Sequence, residues 1–240
     1  TGAVGREFLR VMEERDFLVR ELRLWASPRS RGRQLEFGGR AYTIESLDNA
    51  VYEGLDFVLI SASSDVSRAE APRVAQAGGL AIDDSSAFRM DPDVPLVVPE
   101  VNADDLDNHQ GIVSIPNCTT TPMVLALKPL HDVNPVLRVI ASTYQAVTGT
   151  GQAAVTELRT QSIQVLNGEH ADHEVYPHQI AFSVLPQVED FGENSYTAEE
   201  MKMQNETRKI MHAPDVRISA TCVRVPVVVS HSMSVNVEFS

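Results

Sequence analysis

Along the first half of the chain, short apolar bursts alternate with stretches of helical spacing. In REFLRVMEER (6–15), Phe8, Leu9 and Met12 fall on one side of a helix. ELRLWAS follows as a strand, DFVLISAS (56–63) is a second, buried strand, and LAIDDSS is a third. Between the last two, SRAEAPRVAQAGG reads as a helix closed by Gly78 and Gly79. GIVSIPN (111–117) is a further strand, running directly into a helix that starts at Cys118. Strands alternating with helices specify βαβ units and a parallel sheet.

After about residue 130 the pattern lengthens. VLRVIASTYQAV (136–147), TCVRVPVVVS (221–230) and MSVNVEFS (233–240) read as long alternating strands, with the helices GQAAVTELRTQSIQVLNG and TAEEMKMQNETRKIM between them. The expected fold class is α/β with an α+β second domain, whose open mixed sheet is flanked by helices.

Composition narrows the functions more than the fold. The length of 240 residues suits two modest domains, and 43% apolar with 22% charged residues is ordinary for a globular protein. No run approaches the roughly 18 apolar residues that span a bilayer. TGAVGREFLR has neither a basic n-region nor a small-residue cleavage site, so no signal peptide is indicated. A net charge of −13 argues against nucleic-acid partners, while a few cations focused in a cleft still admit an anionic substrate. Two cysteines, Cys118 and Cys222, make no disulfide framework, and a cytoplasmic location is expected.

TGAVG reads as the end of a G-x-x-G-x-x-G phosphate loop whose first glycine and strand are missing. Gly2 and Gly5 would then open the following helix, whose amides can hold the pyrophosphate of a dinucleotide. Some 20 residues on, where an NAD-binding fold places an acid against the ribose, WASPRSRGR (25–33) has none. Ser27, Arg29 and Ser30 stand there instead and suit the 2′-phosphate of NADP. The first domain is therefore expected to be a Rossmann-type NADP-binding unit over residues 1–117, and the second to cover 118–240.

SIPNCTTTPMVLALKPLH (114–131) carries the candidate chemistry. A cysteine at a helix N-terminus feels positive potential that lowers its pKa, and Thr119 to Thr121 can cap that helix, with Pro122 in its first turn. Burial as an inert small hydrophobe is the competing reading. It is the expected one for Cys222, inside an alternating strand. HADHEVYPH (170–178) offers His170, His173, Glu174 and His178, but its spacing is not H-E-x-x-H and no metal site is expected.

At these residues the chain resembles the aspartate-β-semialdehyde dehydrogenase family. TGAVGREFLR, ASPRS, SSAFRMDPDVPLVVPEVN, PNCTT, STYQAVTGTGQAAV, YPHQIAF, YTAEEMKMQNETRKI and ATCVRVPV…HS follow the family's motifs in order over essentially the whole chain, with both ends of the family's pattern lying outside it. The resemblance implies a dinucleotide-binding domain followed by a catalytic and dimerisation domain. It further implies NADPH-dependent conversion of L-aspartyl 4-phosphate to L-aspartate 4-semialdehyde in aspartate-family amino-acid biosynthesis, in a homodimer. Cys118 would be the thioacyl-forming nucleophile, His231 the acid/base and Gln145 the orienting residue. Arg224 would hold the substrate carboxylate and Glu199 its ammonium. Arg89, Lys202 and Asn117 would hold phosphate, while Thr1, Ala3, Val4, Thr148 and Gly149 would join Gly2, Gly5, Ser27, Arg29 and Ser30 at the cofactor site. His178 falls in a family motif and is expected to be structural. Departures are Ser63 and Ser64 for a Gly-Gly pair, and Asp84 and Ile115 for asparagines. Two alternatives stay open: N-acetyl-γ-glutamyl-phosphate reductase, which shares the thioacyl chemistry, and a catalytically silent paralogue serving as an assembly partner.

Overall fold

The structure is a computed structural model that describes residues 2–240, so the expectation for Thr1 lies outside the described residues. It opens with helix α1 (Ala3–Glu14), on which Leu9 is buried, followed by strands β1 (Leu24–Ala26), β2 (Gln34–Phe37) and β3 (Arg40–Ser46). β3 is the centre of this sheet, with β1 parallel and β2 antiparallel to it.

The next unit is β4 (Phe57–Ile60), α2 (Ser64–Gln76), β5 (Leu80–Asp83), the short α3 (Pro99–Asn102) and β6 (Ile112–Ser114). β4, β5 and β6 form an all-parallel sheet, as their apolar runs require. Ala71 and Val74 of α2 pack on Val58, Ile60 and Ala81 beneath. Gly78 ends α2 at φ +85°, and Gly79 cannot carry a side chain because a Cβ there would meet the Leu55 carbonyl at 2.8 Å. Ser63, one of the two serines in the glycine-pair position, caps α2 by accepting the Val66 N–H. Ser64 pairs with the Ser86 hydroxyl at 3.1 Å.

The second half contains α4 (Thr120–Val133), β7 (Val136–Gln145), α5 (Gln152–Leu166), α6 (Ala198–Ile210), β8 (Arg217–Arg224) and β9 (Ser232–Phe239). β7 is central, parallel to β8 and antiparallel to β9, so the sheet is mixed. Val139, Ala141, Ile218 and Ala220 face inward against Met123, Val124 and Leu127 of α4 and Met203 and Ile210 of α6. Each buried valine, leucine, isoleucine or methionine among them contributes about 1.5–3 kcal/mol.

Three local expectations need correction. The strand expected over 221–230 begins at Arg217 and ends at Arg224. Val225–Val228 turn instead toward 147–148, where the Val227 and Val228 carbonyls accept N–H bonds. The strand before Cys118 stops at Ser114, three residues short of the expected junction. Finally, the threonines do not cap α4. Asn117 does that work: its Oδ1 accepts the Thr119 N–H at 2.8 Å and its carbonyl accepts the Thr121 N–H at 3.1 Å.

Candidate active site

Parallel pairing of β7 with β8 sets Gln145 beside Arg224 at the carboxyl ends of the two strands. The next residue, Ala146, ties the site together. Its carbonyl accepts Arg224 Nη1 at 2.7 Å, and its N–H donates to His231 Nδ1 at 2.9 Å. With Nδ1 acting as acceptor, the proton of the neutral imidazole sits on Nε2. Burial and then the Arg224 charge push the His231 pKa below its ordinary value, with Glu199 opposing, so the ring is neutral at pH 7.

Helix α6 brings acids into this cluster. Its start is fixed by a capping box in which Thr197 and Glu200 exchange hydrogen bonds. One face then presents Glu199, Lys202, Glu206 and Lys209. Charged side chains at this i, i+3 and i+4 spacing ordinarily form solvated pairs on a helix surface, but Glu199, Glu200 and Glu206 are all buried. Glu199 accepts from Gln145 Nε2 at 2.8 Å and from Asn117 Nδ2 at 3.0 and 3.1 Å, with the Lys202 ammonium 3.6 Å away. Lys202 also pairs with Glu189. Glu206 accepts the Asn117 N–H at 2.7 Å and pairs with Arg89 at 3.1 Å. Sequence reading missed Glu206. Its signal was position: Met203 and Ile210, three before and four after, place it on the apolar face.

Arg89 and Arg224 are 7% and 6% exposed, and the Nε–H of each is buried with no hydrogen-bond partner. Buried donors are rarely left unmade, so these two mark places where an acceptor is expected. Both charges lie near enough to Cys118 to lower its pKa.

Cys118 is the exposed thiol and Cys222 the buried one. The expected lowering of the Cys118 pKa is not found. The protein packed behind the sulfur and then the Glu199 carboxylate raise it to about 11, outweighing Arg224, the backbone and Arg89. Cys222, enclosed on all sides, is pushed further, to about 12.

The cofactor candidates divide in two. Thr148 and Gly149 are exposed in a 3-10 turn directly after β7, and a Cβ on Gly149 would lie 3.2 Å from Arg224 Nη1 and 3.4 Å from His231 Nε2. Gly2 stands at the N-cap of α1, and neither Gly2 nor Gly5 has any neighbour within 4 Å of an added Cβ, so the helix start is open at both glycines. Ser27 and Arg29 are exposed and Ser30 half-buried at the end of β1, and among the described residues the Arg29 guanidinium has no acid partner. This open helix start and acid-free basic turn fit a phosphorylated dinucleotide. Among the described residues no group of three or more His, Cys, Asp or Glu could hold a metal ion, and no helix is long and apolar enough to cross a membrane.

A Rossmann-type half joined to a mixed-sheet half with an exposed cysteine among arginines describes an oxidoreductase of the semialdehyde dehydrogenase class. Residues 1–109 match the semialdehyde dehydrogenase NAD-binding domain, and residues 127–240 match the semialdehyde dehydrogenase dimerisation domain. The aspartate-semialdehyde dehydrogenase of Synechocystis is 47% identical over 240 residues, 100% of this chain and 71% of that protein. That of Aquifex aeolicus is 50% identical over 242 residues, 99% of this chain and 71% of that protein. The crystal structure of aspartate semialdehyde dehydrogenase II from Vibrio cholerae superposes with a TM-score of 0.98 at 42% identity, covering 100% of this chain and 72% of that one. The same protein was also solved complexed with ASA. The chain belongs to the aspartate-semialdehyde dehydrogenase family.

Proposed function

We propose that the protein reduces L-aspartyl 4-phosphate to L-aspartate 4-semialdehyde and phosphate with NADPH, through a thioester on Cys118. The observation that carries this is the pair of buried guanidinium groups, Arg89 and Arg224, each with an unpartnered Nε–H and each close enough to act on the exposed Cys118 thiol. An acyl phosphate that bears an α-carboxylate supplies one anion for each.

Arg224 takes the carboxylate, Glu199 the ammonium, and Arg89 the phosphate, with Lys202 and Asn117 at its edge. The Cys118 sulfur displaces phosphate from the acyl carbon, its proton leaving on the departing phosphate, and Gln145, held by Glu199, orients the thioester. When bound, NADPH supplies hydride to that carbon. Gly2–Gly5, Ser27, Arg29, Ser30, Thr148 and Gly149 would hold it. Neutral His231 then donates a hydrogen bond from Nε2–H to the oxyanion formed on the reacting carbon; collapse of that oxyanion re-forms the C=O of the aldehyde and expels the Cys118 sulfur as thiolate, which takes a proton back from solvent. The resting thiol is neutral. Substrate ammonium on Glu199 cancels the charge that helps keep it so, which makes attack dependent on the correct substrate.

Two features weigh against the alternatives. An N-acetylated substrate has no ammonium for Glu199, and a silent paralogue has no need of clustered Cys118, His231 and Arg224. We divide the chain at 117/118, where the Asn117 turn joins the halves, and infer a cytoplasmic homodimer from the dimerisation-domain match and the few cysteines. The test follows NADPH formation by the full-length protein given L-aspartate 4-semialdehyde, phosphate and NADP. Turnover should vanish in Cys118→Ala and with N-acetylglutamate semialdehyde. Turnover that survives Cys118→Ala rejects the mechanism.

A further inference from the structure

Arg89 lies in the loop after β5, and Cys118 lies in the turn before α4, so no shared element fixes the distance between them. One side chain does. Glu206, 1% exposed, directs one oxygen at Arg89 Nη1 (3.1 Å) and the other at the backbone N–H of Asn117 (2.7 Å), the residue before Cys118. Arg89 Nη2 is held by the Asp84 carbonyl at 2.8 Å, which leaves its Nε–H without a partner. One turn along α6, Lys209 donates to the carbonyls of Arg89, Asp91 and Val94 at 2.9, 2.6 and 2.8 Å, fixing the backbone that carries the guanidinium.

We propose that Glu206 is a positioning residue: its carboxylate bridges the Arg89 guanidinium and the Asn117 amide, so that the anion-binding cation and the cysteine-bearing turn keep one separation and the Arg89 Nε–H stays turned to the anion. This rests on the reading of Arg89 and Cys118 given above. Glu200 on the same helix shows what a purely structural acid looks like here. It is 8% exposed, and its bonds go to the Thr197 and Cys222 N–H groups, neither of them in the cluster.

Glu206→Gln keeps the shape but can satisfy only one side. Its carbonyl can accept from Asn117 or from Arg89, and its NH2 group then faces a donor on the other. In full-length protein two readouts are compared: the KM for phosphate against that for L-aspartate 4-semialdehyde, and the phosphate concentration that half-protects Cys118 from iodoacetamide. In Glu206→Gln the phosphate KM and the half-protecting concentration should each rise about tenfold, while the aldehyde KM moves by less than about twofold. Glu200→Gln should lower Tm but leave both phosphate values within about twofold.

If Glu206→Gln does not fold, Glu206→Asp takes its place. It keeps the charge and shortens the reach, and a rise of about threefold in both phosphate values is expected. Phosphate values unchanged in the folded variant, or both KM values rising equally, overturn the proposal. Absence of wild-type turnover rejects the proposed function alone, because phosphate protection of Cys118 still reads the role of Glu206. A wild-type Cys118 that phosphate does not protect rejects both.

Discussion

Gly149 separates two readings of one position, and Gly149→Ala decides between them. The added Cβ would stand 3.2 Å from Arg224 Nη1 and 3.4 Å from His231 Cε1 and Nε2, so each side chain must give by a few tenths of an ångström. Neither is free to do so. Arg224 is held at 2.7 Å to the Ala146 carbonyl and His231 at 2.9 Å to the Ala146 N–H, so one displacement strains both bonds. Backbone strain is not involved, because Gly149 has no positive φ. Overpacking costs about 1–3 kcal/mol, and the lower part of that range applies because the turn is exposed and can yield. About 1–2 kcal/mol placed on the two groups proposed to hold carboxylate and oxygen should lower kcat/KM for the aldehyde about 5- to 30-fold. Steady-state kinetics in L-aspartate 4-semialdehyde, with NADP affinity measured separately by titration, read the two readings apart. NADP affinity should change by less than about threefold. A loss confined to NADP affinity would refute the spacer role and restore the purely cofactor-binding one.

Three further outcomes follow from the same geometry. A thiol raised to about 11 is protonated across the neutral range, so the rate of Cys118 alkylation should climb about tenfold per pH unit up to pH 10, ahead of Cys222 throughout; a plateau near pH 7–8 would show a lowered pKa. Glu199→Gln removes the charge that most opposes the Cys118 thiolate after burial, and at fixed pH should speed alkylation about 3- to 10-fold, the exposed sulfur damping the effect, while abolishing turnover; slower alkylation would contradict it. Arg29→Ala should weaken NADP binding about tenfold or more at low salt and leave NAD binding nearly unchanged, measured by titration of each; equal losses would remove Arg29 from the 2′-phosphate.

The parts of this protein visible in its sequence are those fixed by neighbours within a few residues. Apolar runs located β4 and β5, and period-two and period-3.6 patterns located β7, β9 and the longer helices, because the spacing of an element says which face it buries. The hairpin of β2 and β3 and the short α3 went unread, and three other failures have a distant cause. VPVVVS has the apolar content of a strand, yet Val227 and Val228 bond to a turn 80 residues earlier, and that partner is invisible locally. The acids of α6 have the i, i+3 and i+4 spacing of a solvated face. They are buried because Asn117 and Arg89, 89 and 117 residues from Glu206, supply donors for them. The Cys118 pKa fails for the same reason. A helix N-terminus is a local feature and predicts a lowered value, but its field acts against desolvation by packing and against Glu199, which arrives from 81 positions away. Local sequence therefore pointed to Cys118 while giving its pKa shift the wrong direction. The resting charge belongs to the assembled site, where burial and Glu199 together outweigh the arginines and the backbone.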